Sequence, residues 1–319
     1  MKKYIGPAMF LLVAIAAAAC GSSDAEPAVA TGDPVPVEDE TSAAFPVTIQ
    51  APNGPVTIDA PPERIVSLST VSTETLFAIG AGDQVVAVDD QSNYPPEAPV
   101  TELTAFTPNV EAIAGFEPDL VFISFDPGDA VAGLEALEIP VIVHGTALSL
   151  DDAYSQIEQT GAATGHLATA TGLVAEMQVD IEAAVAAAPV LDPAPTFFHE
   201  VSFDLYTATS STFIGQLYAL FSLENIADPA DEEGFGFPQL SSEYVLDQDP
   251  DMIFLGDVLY GESAETVAAR PGWDALTAVQ NGAIVELDTD VASRWGPRIP
   301  ELVEDISDAV VAYEAAAVS

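Results

Sequence analysis

The sequence predicts an α/β protein of two similar lobes, each built on a mainly parallel sheet, joined by one long rigid helix. Three observations carry that prediction. A fifteen-residue pattern occurs twice: Asn109-Val-Glu-Ala-Ile-Ala-Gly-Phe-Glu-Pro-Asp-Leu-Val-Phe-Ile123 returns 132 positions later as Ser241-Ser-Glu-Tyr-Val-Leu-Asp-Gln-Asp-Pro-Asp-Met-Ile-Phe-Leu255. Each copy opens on a helix-capping residue (Asn109, Ser241), places a glutamate two positions on (Glu111, Glu243), and reaches an apolar strand through Pro-Asp. The offset is too long for a solenoid repeat and fits the size of a compact domain. Short apolar runs also alternate with helical segments, as in a parallel sheet covered on both faces. Finally, residues 166–188 are Ala-rich and interrupted only by Gly172, so a stiff helix of about 34 Å joins the halves rather than a flexible linker.

Taken in order, residues 1–20 read as a secretion signal. Lys2 and Lys3 give a basic start, and an eleven-residue apolar run from Met9 to Ala19 is too short to span a bilayer. The run ends Ala17-Ala-Ala-Cys20-Gly-Ser-Ser, which resembles a bacterial lipoprotein cleavage site and makes Cys20 the expected lipidation point. Residues 21–44 hold almost no large apolar group and read as a flexible acidic tether. Cys20 is the only cysteine, so the fold rests on its core without an intrachain disulfide.

The first lobe is expected over residues 45–165. It opens with a hairpin turning at Asn53-Gly54 and continues with strands at 64–69 and 84–88 around a helix at 70–79. An irregular stretch at 89–107, the first repeat copy, a helix end at 134–138 and a strand at 139–143 follow, and a helix at 149–164 closes on Gly165. The second lobe is expected over 189–319. It restarts with the strand Thr196-Phe-Phe-His-Glu-Val and continues through a helix at 211–220, the second repeat copy, a strand at 283–287 and a final helix at 299–316.

The charge is extreme: 51 acidic residues against 6 basic ones, a formal net charge of −45. Loss of residues 1–19 would leave Arg64, Arg270, Arg294 and Arg298 as the basic residues and no lysine. Nucleic-acid binding is excluded, because phosphate contacts need a basic surface. An anionic bilayer would repel such a body, so membrane contact is expected through the lipid alone.

Several segments in order, Pro62-Glu-Arg-Ile-Val-Ser-Leu-Ser, Thr73-Glu-Thr-Leu-Phe-Ala-Ile-Gly, Asn93-Tyr-Pro-Pro-Glu-Ala, Phe237-Pro-Gln-Leu-Ser-Ser-Glu, Arg270-Pro-Gly-Trp-Asp-Ala-Leu and Ser293-Arg-Trp-Gly-Pro-Arg298, resemble the helical-backbone class of periplasmic solute-binding proteins. These serve ABC importers of iron-siderophores, haem and cobalamin. The resemblance covers about residues 45–315 and implies a ligand cleft between two lobes that open only modestly about the connecting helix. It implies that Glu111 and Glu243 dock into arginines of a permease dimer, and a first-turn carboxylate is also what a helix dipole favours. It implies that Tyr94, Phe106, Phe237 and Trp295 offer flat faces to a large, partly apolar ligand. In so acidic a chain, Arg294 beside Trp295 reads as a further ligand contact, and Arg298, next to Pro297 and leading into the final helix, as structural. Trp273 is expected in the core.

His144, His166 and His199 lack metal spacing, His199-Glu200 has no second histidine at the zinc-protease step, and neither a nucleophile elbow nor a phosphate loop occurs. No catalytic residue, metal site or cofactor is expected. The sequence therefore reads as a monomeric, extracytoplasmic, lipid-anchored protein at the cell surface or in the periplasm. Its expected task is to capture cobalamin, another corrinoid or a ferric siderophore and pass it to an ABC importer. The scarcity of basic residues favours cobalamin or a neutral chelate over a polyanionic siderophore. A receptor or sensor of the same fold that never docks a transporter is the alternative.

Overall fold

The computed structural model of the chain describes residues 45–317; the expected signal segment, Cys20 and the tether lie outside them. The described part opens with a hairpin, β1 (Val47–Ala51) and β2 (Gly54–Ile58), antiparallel across Pro52 and Asn53. The Asn53 side chain donates to the Val141 carbonyl and accepts the Val143 amide, fastening the hairpin to the first lobe. That lobe holds β3 (Ile65–Leu68), β4 (Val85–Val88), β5 (Leu120–Ile123) and β6 (Val141–Val143), all parallel in the order β4-β3-β5-β6. The second lobe holds β7 (Thr196–Ser202), β8 (Tyr206–Thr207), β9 (Glu224–Asn225), β10 (Met252–Leu255) and β11 (Ile284–Glu286). Its order is β11-β10-β7-β8 with β9 also on β7, and only β8 runs antiparallel.

The two repeat copies fold alike. Asn109 Oδ1 accepts the Ala112 amide and Ser241 Oγ accepts the Tyr244 amide, each at 3.1 Å, starting the helices Val110–Ala114 and Ser242–Gln248. Both helices leave through a left-handed residue just before the Pro-Asp, Glu117 at φ 50° and Asp249 at φ 44°. The aspartate then secures the start of the neighbouring strand. Asp119 accepts the amides of Glu63 and Arg64 ahead of β3, and Asp251 accepts the amide and hydroxyl of Thr196 at the head of β7. The Pro-Asp is a clamp between adjacent strands, used once per lobe.

The pleat divides each central strand between two cores. Phe122 and Phe254 belong to one buried cluster that runs through both lobes, and the helices Leu150–Thr164, Leu167–Ala187 and Ile299–Ala317 fill it. Val121 and Ile123 face a separate core in the first lobe, Ile253 and Leu255 another in the second. The lobes thus share a continuous interior. The expected connector is the helix Leu167–Ala187, about 32 Å long. The helix end expected at 134–138 lies earlier, at Ala130–Glu135, because Glu138 adopts φ 60° and turns the chain toward β6. Among the described residues no helix is long and apolar enough to cross a membrane.

Two glycines in the paired helices should respond oppositely to the same change. A Cβ on Gly161 would sit 2.4 Å from the Ala170 Cβ and 3.1 Å from the His166 carbonyl oxygen, where the two helices press together. A Cβ on Gly172 would meet nothing within 4 Å. Gly161→Ala is expected to destabilise by about 1–3 kcal/mol through overpacking. Gly172→Ala should stabilise by about 0.5–1 kcal/mol through helix propensity. Urea unfolding of both variants checks the signs, and a stabilised Gly161→Ala would contradict the close packing.

Candidate functional site

Parallel α/β lobes bind ligands outside the carboxyl ends of their strands. A cavity of about 460 Å³ lies there. Its first-lobe wall is Thr146–Leu148, following β6, and its second-lobe walls are Val201 of β7, the start of the helix Phe213–Ala219, the loop carrying Phe235 and Phe237, and Arg294 with Trp295. A larger hollow of about 570 Å³ lies between the last helix and the amino ends of β10 and β11, lined by Met252, Ile284, Asp305, Asp308 and Tyr313 among others. The first cavity has the aromatic faces and converging elements of a ligand site.

Of the expected contact residues, Phe237, Arg294 and Trp295 come together on this cavity. Trp295 donates its indole N–H to Gln156 Oε1 at 3.2 Å, across to the helix Leu150–Thr164. Tyr94 and Phe106 do not line it. Tyr94 lies under the Arg298 guanidinium, 4.2 Å from ring centroid to carbon, and Phe106, 66% exposed, packs its ring 5.7 Å from Phe125 just beyond β5. Trp273 is fully buried and donates to Ser242 Oγ.

Sequence reasoning passed over the residue on which the two arginines converge. Glu74, in the helix Thr70–Ala78, is 3% exposed. Its Oε1 accepts Arg294 Nη1 at 2.7 Å and Arg298 Nη2 at 2.8 Å, and its Oε2 accepts Arg298 Nε at 2.9 Å. Arg294 also reaches Asp290 at 2.6 Å and Asn93 Oδ1 at 3.0 Å, while Asn93 donates back to Asp290. Glu74 and Asn93 belong to the first lobe, Asp290, Arg294 and Arg298 to the second, so this network is a clasp between lobes. A lone carboxylate in a helix of small hydroxyl and apolar residues was the available signal. Phe235 was also passed over. It is 77% exposed between Gly234 and Gly236, on a loop held by Asp231, which accepts the Phe235 and Gly236 amides.

A second buried cluster follows β7 and β10. Glu200, fully buried, takes both Arg270 Nη groups at 2.6 Å, and Arg270 also binds Glu262 at 2.7 Å. Asp257 lies beside them, 1% exposed, with neither carboxylate oxygen bonded. Burial, then the Glu200 charge, push its pKa up to about 7. Burial lowers His144 and His199 to about 4, and His199 shares a hydrogen bond with Tyr218 at 2.8 Å. Glu111 and Glu243 are both exposed in the first turns of their helices. Among the described residues no group of acidic, histidine or cysteine side chains could hold a metal ion.

Comparison with known proteins places the chain. A model of the periplasmic binding protein family matches residues 65–291. An uncharacterized ABC transporter substrate-binding lipoprotein of Bacillus subtilis is 33% identical over 97% of this chain and 98% of its own length. A cobalamin-binding protein of Halobacterium salinarum is 32% identical over 85% of this chain and 75% of its own. Among solved structures, a periplasmic heme-binding protein of Roseiflexus in apo form superposes with a TM-score of 0.68 at 27% identity, covering 80% of this chain and 99% of that one. These relatives carry the names of binding proteins, not enzymes.

Two measurements test the buried charges. Glu74→Ala strands the largely buried Arg298 guanidinium, leaves Arg294 with Asp290 as its one carboxylate partner, and should cost about 3–5 kcal/mol in urea unfolding. A loss below about 1 kcal/mol would show that the clasp is dispensable. Asp257 has a folded pKa above its ordinary value of 3.8, so its contribution is complete below pH 4 and is lost as pH rises through 7. Asp257→Asn should therefore be more stable than the parent at pH 8, by about 2–4 kcal/mol, with that advantage reduced by more than half at pH 5 and gone below pH 4. A difference that does not change between those pH values would refute the assignment.

Proposed function

The chain belongs to the periplasmic binding protein family, and from that premise we propose that it is the substrate-binding component of an ABC importer for a chelated metal compound, a cobalamin-type corrinoid or a ferric siderophore. The observation that carries this reading is the aromatic cavity between the lobes at the carboxyl ends of their strands, with Phe237 and Trp295 on its wall. Broad apolar faces suit a corrin ring or a chelate shell better than a sugar or an amino acid. Phe106 and Phe125 extend an exposed aromatic surface from the first lobe. In this reading Phe237 and Trp295 contact the ligand, and Arg294 and Tyr94 position the lobes through the clasp on Glu74.

Delivery rests on Glu111 and Glu243. Each is the exposed first-turn glutamate of an equivalent helix, and the loaded protein would present both to arginines of a permease dimer. The Bacillus relative, named a lipoprotein and matched over nearly its full length, supports anchoring through Cys20 outside the cytoplasm. The protein would work as a monomer, touching the membrane through its lipid alone.

Two experiments test the reading. Titration with cobalamin, cobinamide, haem and ferric siderophores, followed by tryptophan fluorescence and melting temperature, should give at least one ligand that raises the melt, since selective binding stabilises the folded state. Trp295→Ala should weaken that ligand at least tenfold. The pair Glu111→Arg and Glu243→Arg should leave binding within twofold of the parent and abolish uptake by cells. Uptake that survives the double change would favour a receptor that never docks a transporter.

A further inference from the structure

The chelate reading leaves the charge of the ligand open, and the disposition of positive groups bears directly on it. The described residues contain four arginines and no lysine, and each guanidinium is engaged. Arg64 donates to the carbonyls of Phe116 and Glu117 at the strand-start end of the first lobe, away from the cavity. Arg270 is held between Glu200 and Glu262. Arg294 is the one arginine on the cavity wall, and its donors go to Glu74, Asp290 and Asn93. Arg298 spends two hydrogen bonds on Glu74, one from Nε and one from Nη2. In this clasp two guanidiniums meet two carboxylates, so its net charge is zero. His144 and His199 are buried with pKa values of about 4 and carry no charge near neutrality. His166 sits beside Gln84, again at the strand-start end.

An anionic group entering the cavity would therefore find no spare counter-charge. Arg294 could turn a remaining N–H toward it, but the guanidinium's charge is already balanced by Glu74 and Asp290, so the anion would gain a hydrogen bond without a free counter-charge. The incoming anion would still lose its water, with no free positive charge to offset that loss. The rim adds to the imbalance. Gly234, Phe235 and Gly236 line the cavity, and the exposed Glu232 and Glu233 precede them on the same loop. An uncharged ligand escapes these costs, and a cationic one gains from the acidic field.

We infer that this cleft accepts uncharged or cationic metal chelates and rejects polyanionic ones, because its only wall-lining guanidinium is already neutralised within the inter-lobe clasp. The inference rests on the chelate reading and adds the ligand's charge class to it.

The test is calorimetric titration of the purified chain with probes of graded charge. They are cyanocobalamin (uncharged), aquacobalamin (cationic), a neutral cyclic and a cationic linear ferric trihydroxamate, and a triply anionic ferric tricatecholate. Within the ferric set, which holds the metal constant, the neutral or cationic member should bind at least tenfold more tightly than the tricatecholate at low salt. Raising sodium chloride from 0.05 to 0.5 M should narrow that gap. The exposed pair Glu232→Lys and Glu233→Lys should narrow it at least threefold, with the melt unchanged. A tricatecholate that binds within threefold of the best ferric probe, or more tightly, overturns the inference and leaves chelate capture standing. If no probe of any charge binds, chelate capture itself falls, and this inference with it.

Discussion

One buried carboxylate holds the two halves of this molecule in register. Glu74 belongs to the first lobe and is satisfied almost entirely by guanidiniums of the second, Arg294 and Arg298, over 200 positions away in sequence. Buried ion networks of this kind are weak sources of net stability, because desolvation offsets the attraction, but they penalise any arrangement that leaves a member unpaired. Sliding the lobes would strand Glu74 and Arg298 together and leave Arg294 to Asp290 alone. The clasp therefore selects one orientation more than it strengthens it. In a chain with so few cations, placing two of four arginines on a single carboxylate marks how much the orientation matters.

The apolar interior works in the same direction. Sheets of the two lobes contribute Phe122 and Phe254 to one cluster, which continues through the three long helices. Lobes that share a core cannot swing apart like independently packed domains, because opening would expose that interior to water. Close packing of helices at Gly161 against Ala170 adds a rigid seam beneath the connector. Tight core and clasp together leave motion to the loops at the strand ends, such as the Gly234–Phe235–Gly236 segment on the cavity wall.

The sequence made the architecture legible where the determinants are local. Capping at Asn109 and Ser241, the left-handed turn before each Pro-Asp, and strand alternation all sit within fifteen residues and repeat, so the two lobes could be read from spacing alone. What the sequence hid was pairing at a distance. Arg294 and Trp295 are expected at a ligand from their neighbours in sequence and line the cavity, yet Glu74 and Gln156, which hold them, lie on helices of the other half. Tyr94, expected at the ligand, lies under Arg298, and Phe106, expected there too, pairs with Phe125 outside the cavity. The two-residue strands β8 and β9 were invisible because their pairing with β7 depends on tertiary placement rather than on any periodicity.

The acid excess raises a difficulty for the proposed docking that the fold itself resolves. With 51 acidic residues, two more glutamates on the surface are electrostatically unremarkable, and charge alone could not mark a docking point. Position can. Glu111 and Glu243 occupy the same turn of the same helix in both repeat copies, and each helix runs directly into a central strand whose inward face is buried in the common core. Their separation is thus fixed by the interior, a constraint that scattered surface acids lack. A partner with two basic pockets at that spacing would discriminate by geometry, since a mismatched pair can engage only one pocket and forfeits the gain of simultaneous contact. Under the proposed docking, a diffuse negative field would bring such a partner near, and the rigid pair would select it.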